Sequence, residues 1–220
     1  MKTSRRTSLK LTACLWASLL TLALSDSATA QNFKGGLRAG MVASEVSGDN
    51  LAGPNKLGFY AATFAKAPLS EVLAMKLEIM YIEKGSRSVP AERNNFYEYR
   101  FALQYVEVPV LLLYDVSAIS RSPVLEELVL HGGLSGSVLV GWREEEFGAQ
   151  LPRDPRRDFN PAELNILLGF SYPLFSTVNF NFGFSNSLTP IRPHAGGGTT
   201  WYNRGQYNTL WTFGVEVIIW

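Results

Sequence analysis

The end of the chain constrains its fold most strongly. Between Tyr207 and Trp220 every second residue (Tyr207, Thr209, Trp211, Phe213, Val215, Val217, Ile219) is apolar, aromatic or β-branched. The residues between them are Asn208, Leu210, Thr212, Gly214, Glu216 and Ile218. A side-chain period of two means a strand with one greasy face and one mixed face. Phe180, Phe182 and Phe184 repeat the pattern against Asn179, Asn181, Gly183 and Ser185. A stripe of this kind must be covered, by a protein core or by lipid.

Six further segments read as strands: 33–43, 57–67, 73–84, 99–116, 128–142 and 164–172. In 73–84, Leu73, Met75, Leu77, Ile79 and Tyr81 oppose Ala74, Lys76, Glu78 and Met80. In 99–116, Val106, Val108, Val110, Leu112 and Tyr114 oppose Tyr105, Glu107, Pro109 and Leu111. Pro109 cannot donate to a ladder, so it predicts a bulge or the end of a strand. The facing of 57–67, with Phe59 and Phe64, stays open. The connections run long (44–56), short (68–71), long (85–98), medium (115–125), long (143–161), short (173–176) and long (189–206). About eight strands joined in this way fit the smallest closed transmembrane barrel, whose short turns are periplasmic and whose long loops face out.

Alternation alone also fits a soluble, lipocalin-like barrel with its greasy face inward. The polar positions hold Gly40, Gly133, Ser135, Ser137, Asn165, Asn179, Asn181, Gly183 and Ser185, which are small. A solvated outer face would carry far more Lys and Glu. Small polar residues suit a narrow interior, while aliphatics and aromatics suit lipid. Tyr81, Tyr114, Trp142, Tyr172 and Tyr207 near strand ends would form aromatic girdles. The apolar run before residue 31 is too short to span as a helix and no other stretch is a helix-length apolar run, so a membrane protein of this sequence spans with closed β-structure.

Residues 1–30 read as a secretory signal peptide: a basic start, an apolar run from Leu11 to Leu24, and Ala28-Thr29-Ala30 before Gln31. The barrel domain is then 31–220. Within the leader, the run from Ser4 to Lys10 resembles a twin-arginine motif and Leu11 to Cys14 a lipobox. The only cysteine is Cys14, which leaves the mature chain without a disulfide. Setting aside the four basic residues and one acidic residue of 1–30 leaves sixteen basic and eighteen acidic residues, a net charge of −2. That balance offers no electrostatic ground for nucleic acid.

Several pieces carry a resemblance. They are Gly36-Leu37-Arg38-Ala39-Gly40, the run Leu77 to Gly85 (LEIMYIEKG), Tyr105 to Leu112 (YVEVPVLL) and Gly132 to Gly136 (GGLSG). With the terminal strand, they resemble the PorT-like outer-membrane β-barrel family of Gram-negative bacteria across residues 33–220. The resemblance implies an eight-stranded antiparallel up-and-down barrel in the outer membrane with both termini periplasmic. It implies a link, for some members, to protein secretion. Thr212, Gly214, Val217 and Ile219 resemble the signal read by the barrel-assembly machinery, although Trp220 follows where such chains often stop.

The inward ionisable set is Arg38, Lys76, Glu78, Glu107, His131 and Glu216. Charges in a narrow interior must pair, so these residues predict a lumen network filling the barrel. A proton or ion pathway through the same residues is the sharper alternative. His131, Ser135 and Ser137 share a face and could suggest a hydrolase, but Ser135 lies about 13 Å along the strand from His131 at ~3.3 Å per residue. No GxSxG or HExxH is present. No catalytic group, metal or cofactor is expected. Phe96, Tyr97, Arg156, Arg157, Trp201 and Tyr202 in the loops could bind a partner or surface saccharide. The expected partners are outer-membrane lipid and lipopolysaccharide, the barrel-assembly machinery and an envelope or secretion protein. The functional expectation is a membrane-anchored scaffold or binding protein. The alternatives are a lipid-modifying hydrolase centred on His131 and a soluble periplasmic ligand-binding barrel.

Overall fold

The computed structural model describes residues 33–49, 51, 53–119, 122, 125–152, 158–193 and 205–220. The leader at 1–30 lies outside them, as do Arg156, Arg157, Trp201 and Tyr202. Eight long strands carry the fold. They are β1 (Lys34–Ser47), β2 (Lys56–Pro68), β3 (Leu73–Arg87), β4 (Tyr99–Asp115), β5 (Val129–Glu146), β7 (Ala162–Phe175), β8 (Val178–Ser187) and β9 (Tyr207–Ile218), with a two-residue arm, β6 (Ala149–Gln150), folded onto the end of β5. The pairing order is β4-β3-β2-β1-β9-β8-β7-β5, and β4 pairs with β5 to close the ring. All pairings are antiparallel. Closure leaves no free edge along the main ladders, and a sheet in hydrocarbon needs that.

The faces sort cleanly. Ile79 is 59% exposed, whereas its neighbour Glu78 is fully buried. Leu37, Met41, Leu77, Val108, Val110, Leu134, Ile166, Leu168, Phe213 and Val215 point out, while Arg38, Lys76, Glu107, Ser135, Asn165, Asn181 and Glu216 point in. Aliphatics outside and polar groups inside rule out the lipocalin-like facing. On β2, Leu57 and Phe59 face out and Tyr60, Ala62 and Phe64 face in.

Glycines make room inside. Gly40 pairs with Gly214 and Gly169 with Gly183, both pairs on the inner face. A Cβ on Gly40 would strike the Phe213 carbonyl, and one on Gly214 the Ala39 carbonyl and the Tyr60 hydroxyl. A Cβ on Gly169 would strike the Phe182 carbonyl and His131. A Cβ on Gly183 would strike the Thr212 hydroxyl, and the long Arg38 side chain reaches to within 3.7 Å of it, so the bare wall at Gly183 makes room for that guanidinium. The eight-stranded interior is just wide enough to be filled by side chains, and here bulk on one wall meets its absence on the other.

Three expectations need correction. Pro109 neither bulges nor ends β4: it pairs with Ser135, and the β3 ladder resumes on its far side in the same register (Leu77↔Val110, Met80↔Glu107). The proline only interrupts the ladder locally, as a residue without an N–H must. The irregularity lies at Gln104/Tyr105, where β5 carries Val140 as an extra residue. Beyond it the inward positions of β5 change from odd to even, so Trp142 turns inward against Phe159 rather than joining a girdle. The charged run Arg143 to Glu146 belongs to β5, not to a loop.

Candidate functional site

The lumen holds two ion-pair networks among the described residues. The first lies toward the short turns. Arg38 Nη1 donates to Glu78 Oε2 at 3.1 Å, and Lys76 Nζ lies 2.9 Å from Glu78 and 2.7 Å from Glu216. Two cations thus meet two carboxylates, all nearly or fully buried. Aromatic faces complete the solvation: the Arg38 guanidinium sits 5.0 Å from the Tyr60 ring and Lys76 Nζ 5.3 Å from that of Phe64.

The second network lies toward the long loops. Lys84 Nζ is 2.7 Å from Glu107 and also pairs with Glu163. One cation serves two carboxylates, and neutral donors supply the rest. Ser135 and Ser137 donate to Glu107 at 2.6 and 3.0 Å, and Asn165 donates to both hydroxyls at 3.1 and 2.9 Å. Asn208 donates to Glu163 at 2.8 Å. Lys84 lies 5.0 Å from the Tyr105 ring centre.

Met80, Ile82, Leu111, Leu167 and Leu210 separate the networks and, with His131, line a cavity of about 20 Å³. That volume admits roughly one water molecule. His131 is buried here, and its Nδ1 has no hydrogen-bond partner among the described residues. Ser135 and Ser137 direct their hydroxyls at Glu107 rather than at His131.

At the long-loop mouth, Arg192 donates to Gln206 at 2.5 Å and to Glu144 at 3.2 Å, and Tyr99 donates to the same carboxylate. The guanidinium lies 4.9 Å from the Phe101 ring centre and 4.7 Å from that of Phe159, and the two rings pack on each other at 5.4 Å. Above this cap, Phe96 and Phe147 stand exposed with φ of 56° and 48°. Tyr97 stacks on Tyr99 and meets Phe147 edge-on. Positive φ is rare for bulky residues and stores backbone strain.

All six ionisable residues singled out by sequence lie in the lumen. Arg38, Lys76, Glu78 and Glu216 come together, Glu107 joins the second network, and His131 stands between the two. Sequence reasoning missed Lys84, Glu163, Glu144 and Arg192. Even parity on β3 could have found Lys84, and one more residue at the start of β7 would have found Glu163. Of the four residues of the assembly signal, Thr212 and Gly214 face in, and Val217 and Ile219 face out. Beyond them, Trp220 is held by backbone bonds to Gly35.

Residues 28–192 match the family described as Outer membrane protein beta-barrel domain. No curated protein matches the chain. Among solved structures, Ail, the attachment invasion locus protein of Yersinia pestis, aligns at 13% identity and a TM-score of 0.48, covering 84% of this chain and 98% of that one. Neisserial surface protein A aligns at 15% identity and 0.43, covering 85% and 97%. OprG from Pseudomonas aeruginosa aligns at 12% and 0.41, covering 86% and 97%.

Proposed function

Because the chain belongs to the outer membrane protein beta-barrel domain family, we propose that it is a membrane-anchored binding or scaffold protein, neither a pore nor an enzyme. The filled lumen carries this reading. Two salt-bridge networks, an apolar layer between them and the Arg192 cap stand in series, and the cavity among them holds about one water. A solute would have to break buried ion pairs at each level. Work is then left to the outside of the barrel and to its loop tips, where Phe96, Tyr97 and Phe147 present aromatic surface. Exposed aromatics of this kind suit a protein or saccharide partner. His131 fills space in this reading and does no chemistry.

With short turns inside, both termini are periplasmic. Lipopolysaccharide surrounds the outer half, the barrel-assembly machinery inserts the chain, and the partner is an envelope protein. A PorT-like accessory role in secretion is the narrower form of the same proposal.

Reconstitution into planar bilayers tests it: the wild type should show no stable conductance, and discrete ohmic steps would overturn the closed-lumen reading. In cells, a bulky maleimide should label Ser47→Cys from outside and leave Ser70→Cys untouched, while the reverse pattern would invert the topology.

A further inference from the structure

We propose that Arg87, Arg100 and Arg143 form a binding site on the outer wall for the phosphates of an outer-leaflet glycolipid. The site rests on the topology proposed above, in which the long loops face out. Arg87 on β3 and Arg100 on β4 are directly paired across the ladder, and both are exposed. Like charges placed opposite one another on the same face repel. Neither has an acidic ion-pair partner among the described residues. Glu145 on β5 is the other cross-strand neighbour of Arg100, but Arg143 engages it at 2.5 Å. Glu83, nearer the membrane on β3, is engaged by Lys56 at 2.5 Å. Glu98 lies two residues beyond Arg100 toward the loop tips, and Glu92 farther out in the turn that joins β3 to β4.

The position matters as much as the charge. On β5 the outward aliphatic run Leu130, Leu134, Val138 and Val140 ends three residues before Arg143. At ~3.3 Å per residue and a tilt near 40°, Arg143 stands roughly 8 Å above the last lipid-facing side chain and the Arg87–Arg100 row roughly 5 Å higher. That is the depth of the headgroups. Guanidinium groups chelate phosphate oxygens through two parallel N–H donors, and three of them on adjacent strands span more than one phosphate. A phosphorylated glycolipid with acyl chains against Val138 and Val140 satisfies the apolar wall and the arginines together.

The test uses the full chain in neutral detergent micelles, with the unfolding midpoint read by the loss of the compact band on semi-native gels. Added diphosphoryl lipid A should raise the wild-type midpoint by several degrees. R87Q/R100Q/R143Q should keep the wild-type midpoint without lipid and lose at least half of the rise, and dephosphorylated lipid A should give the wild type little rise. An equal rise in the triple variant, or with the dephosphorylated lipid, would overturn the site. So would an equal rise from millimolar inorganic phosphate, which would show a simple anion effect. Labelling of Arg100→Cys by bulky maleimide on intact cells separates the two failures: labelling only after permeabilisation sinks the topology, whereas outside labelling without a lipid effect sinks the site alone.

Discussion

The half of the lumen near the short turns and the half near the long loops bury charge by different means. In the first, Arg38 and Lys76 meet Glu78 and Glu216 one for one, and half-buried Lys66, paired with Lys76 across the ladder, adds a further cation near Glu216. In the second, Lys84 alone faces Glu107 and Glu163, and Ser135, Ser137, Asn165 and Asn208 make up the difference with hydroxyl and amide donors. A carboxylate in a narrow barrel can be held by a cation or by a fan of neutral dipoles, but the two have different weak points. The one-for-one network depends on every member. The acid-rich one depends above all on its single cation.

The largest effect should come from that cation. Lys84→Met leaves two buried carboxylates without a counter-charge and should cost about 3–5 kcal/mol in urea unfolding from lipid or detergent. A cost under about 1 kcal/mol would mean that the serine and asparagine donors suffice. Next comes Glu78→Gln, which strips Arg38 of its carboxylate and leaves the cations to Glu216 alone. A loss of about 3 kcal/mol is expected in the same assay. Ser137→Ala removes one donor from Glu107 and should cost about 1 kcal/mol. The smallest effect should be that of Glu107→Gln, within about 1 kcal/mol of wild type, because it leaves Lys84 and Glu163 as a neutral pair. Equal costs for Glu78→Gln and Glu107→Gln would erase the distinction between the two networks.

Much of this was legible in the sequence because a period of two survives closure. Parity grouped Arg38, Lys76, Glu78, Glu107, His131 and Glu216 with the small polar residues, whose size marked that face as the inner one, and the outward Val106–Leu112 series follows the same rule. Which inward charges would meet was not legible. Lys76 reaches Glu216 across 140 positions in sequence, through a ring order that alternation does not encode. Parity also fails where the ladder slips. Past Val140, Trp142 and Glu144 face inward against the count, so the cap they form with Phe159 and Arg192 was unreadable. Strand ends were misjudged for a related reason. Polar residues such as Arg143, Glu144 and Glu145 look like loop, yet a barrel wall that rises above the bilayer carries them in ladder.

The extra residue at Val140 also bears on how this chain can change length. A deletion elsewhere in the membrane stretch of a strand would exchange inner and outer faces for every residue beyond it. Deleting Val140 should only straighten the ladder, because Gly141 would then follow Leu139 as the outward residue and Trp142 and Glu144 would keep their places. The bulge is thus a spare position in β5, the point along its membrane wall where the gene can lose a codon without turning the barrel inside out.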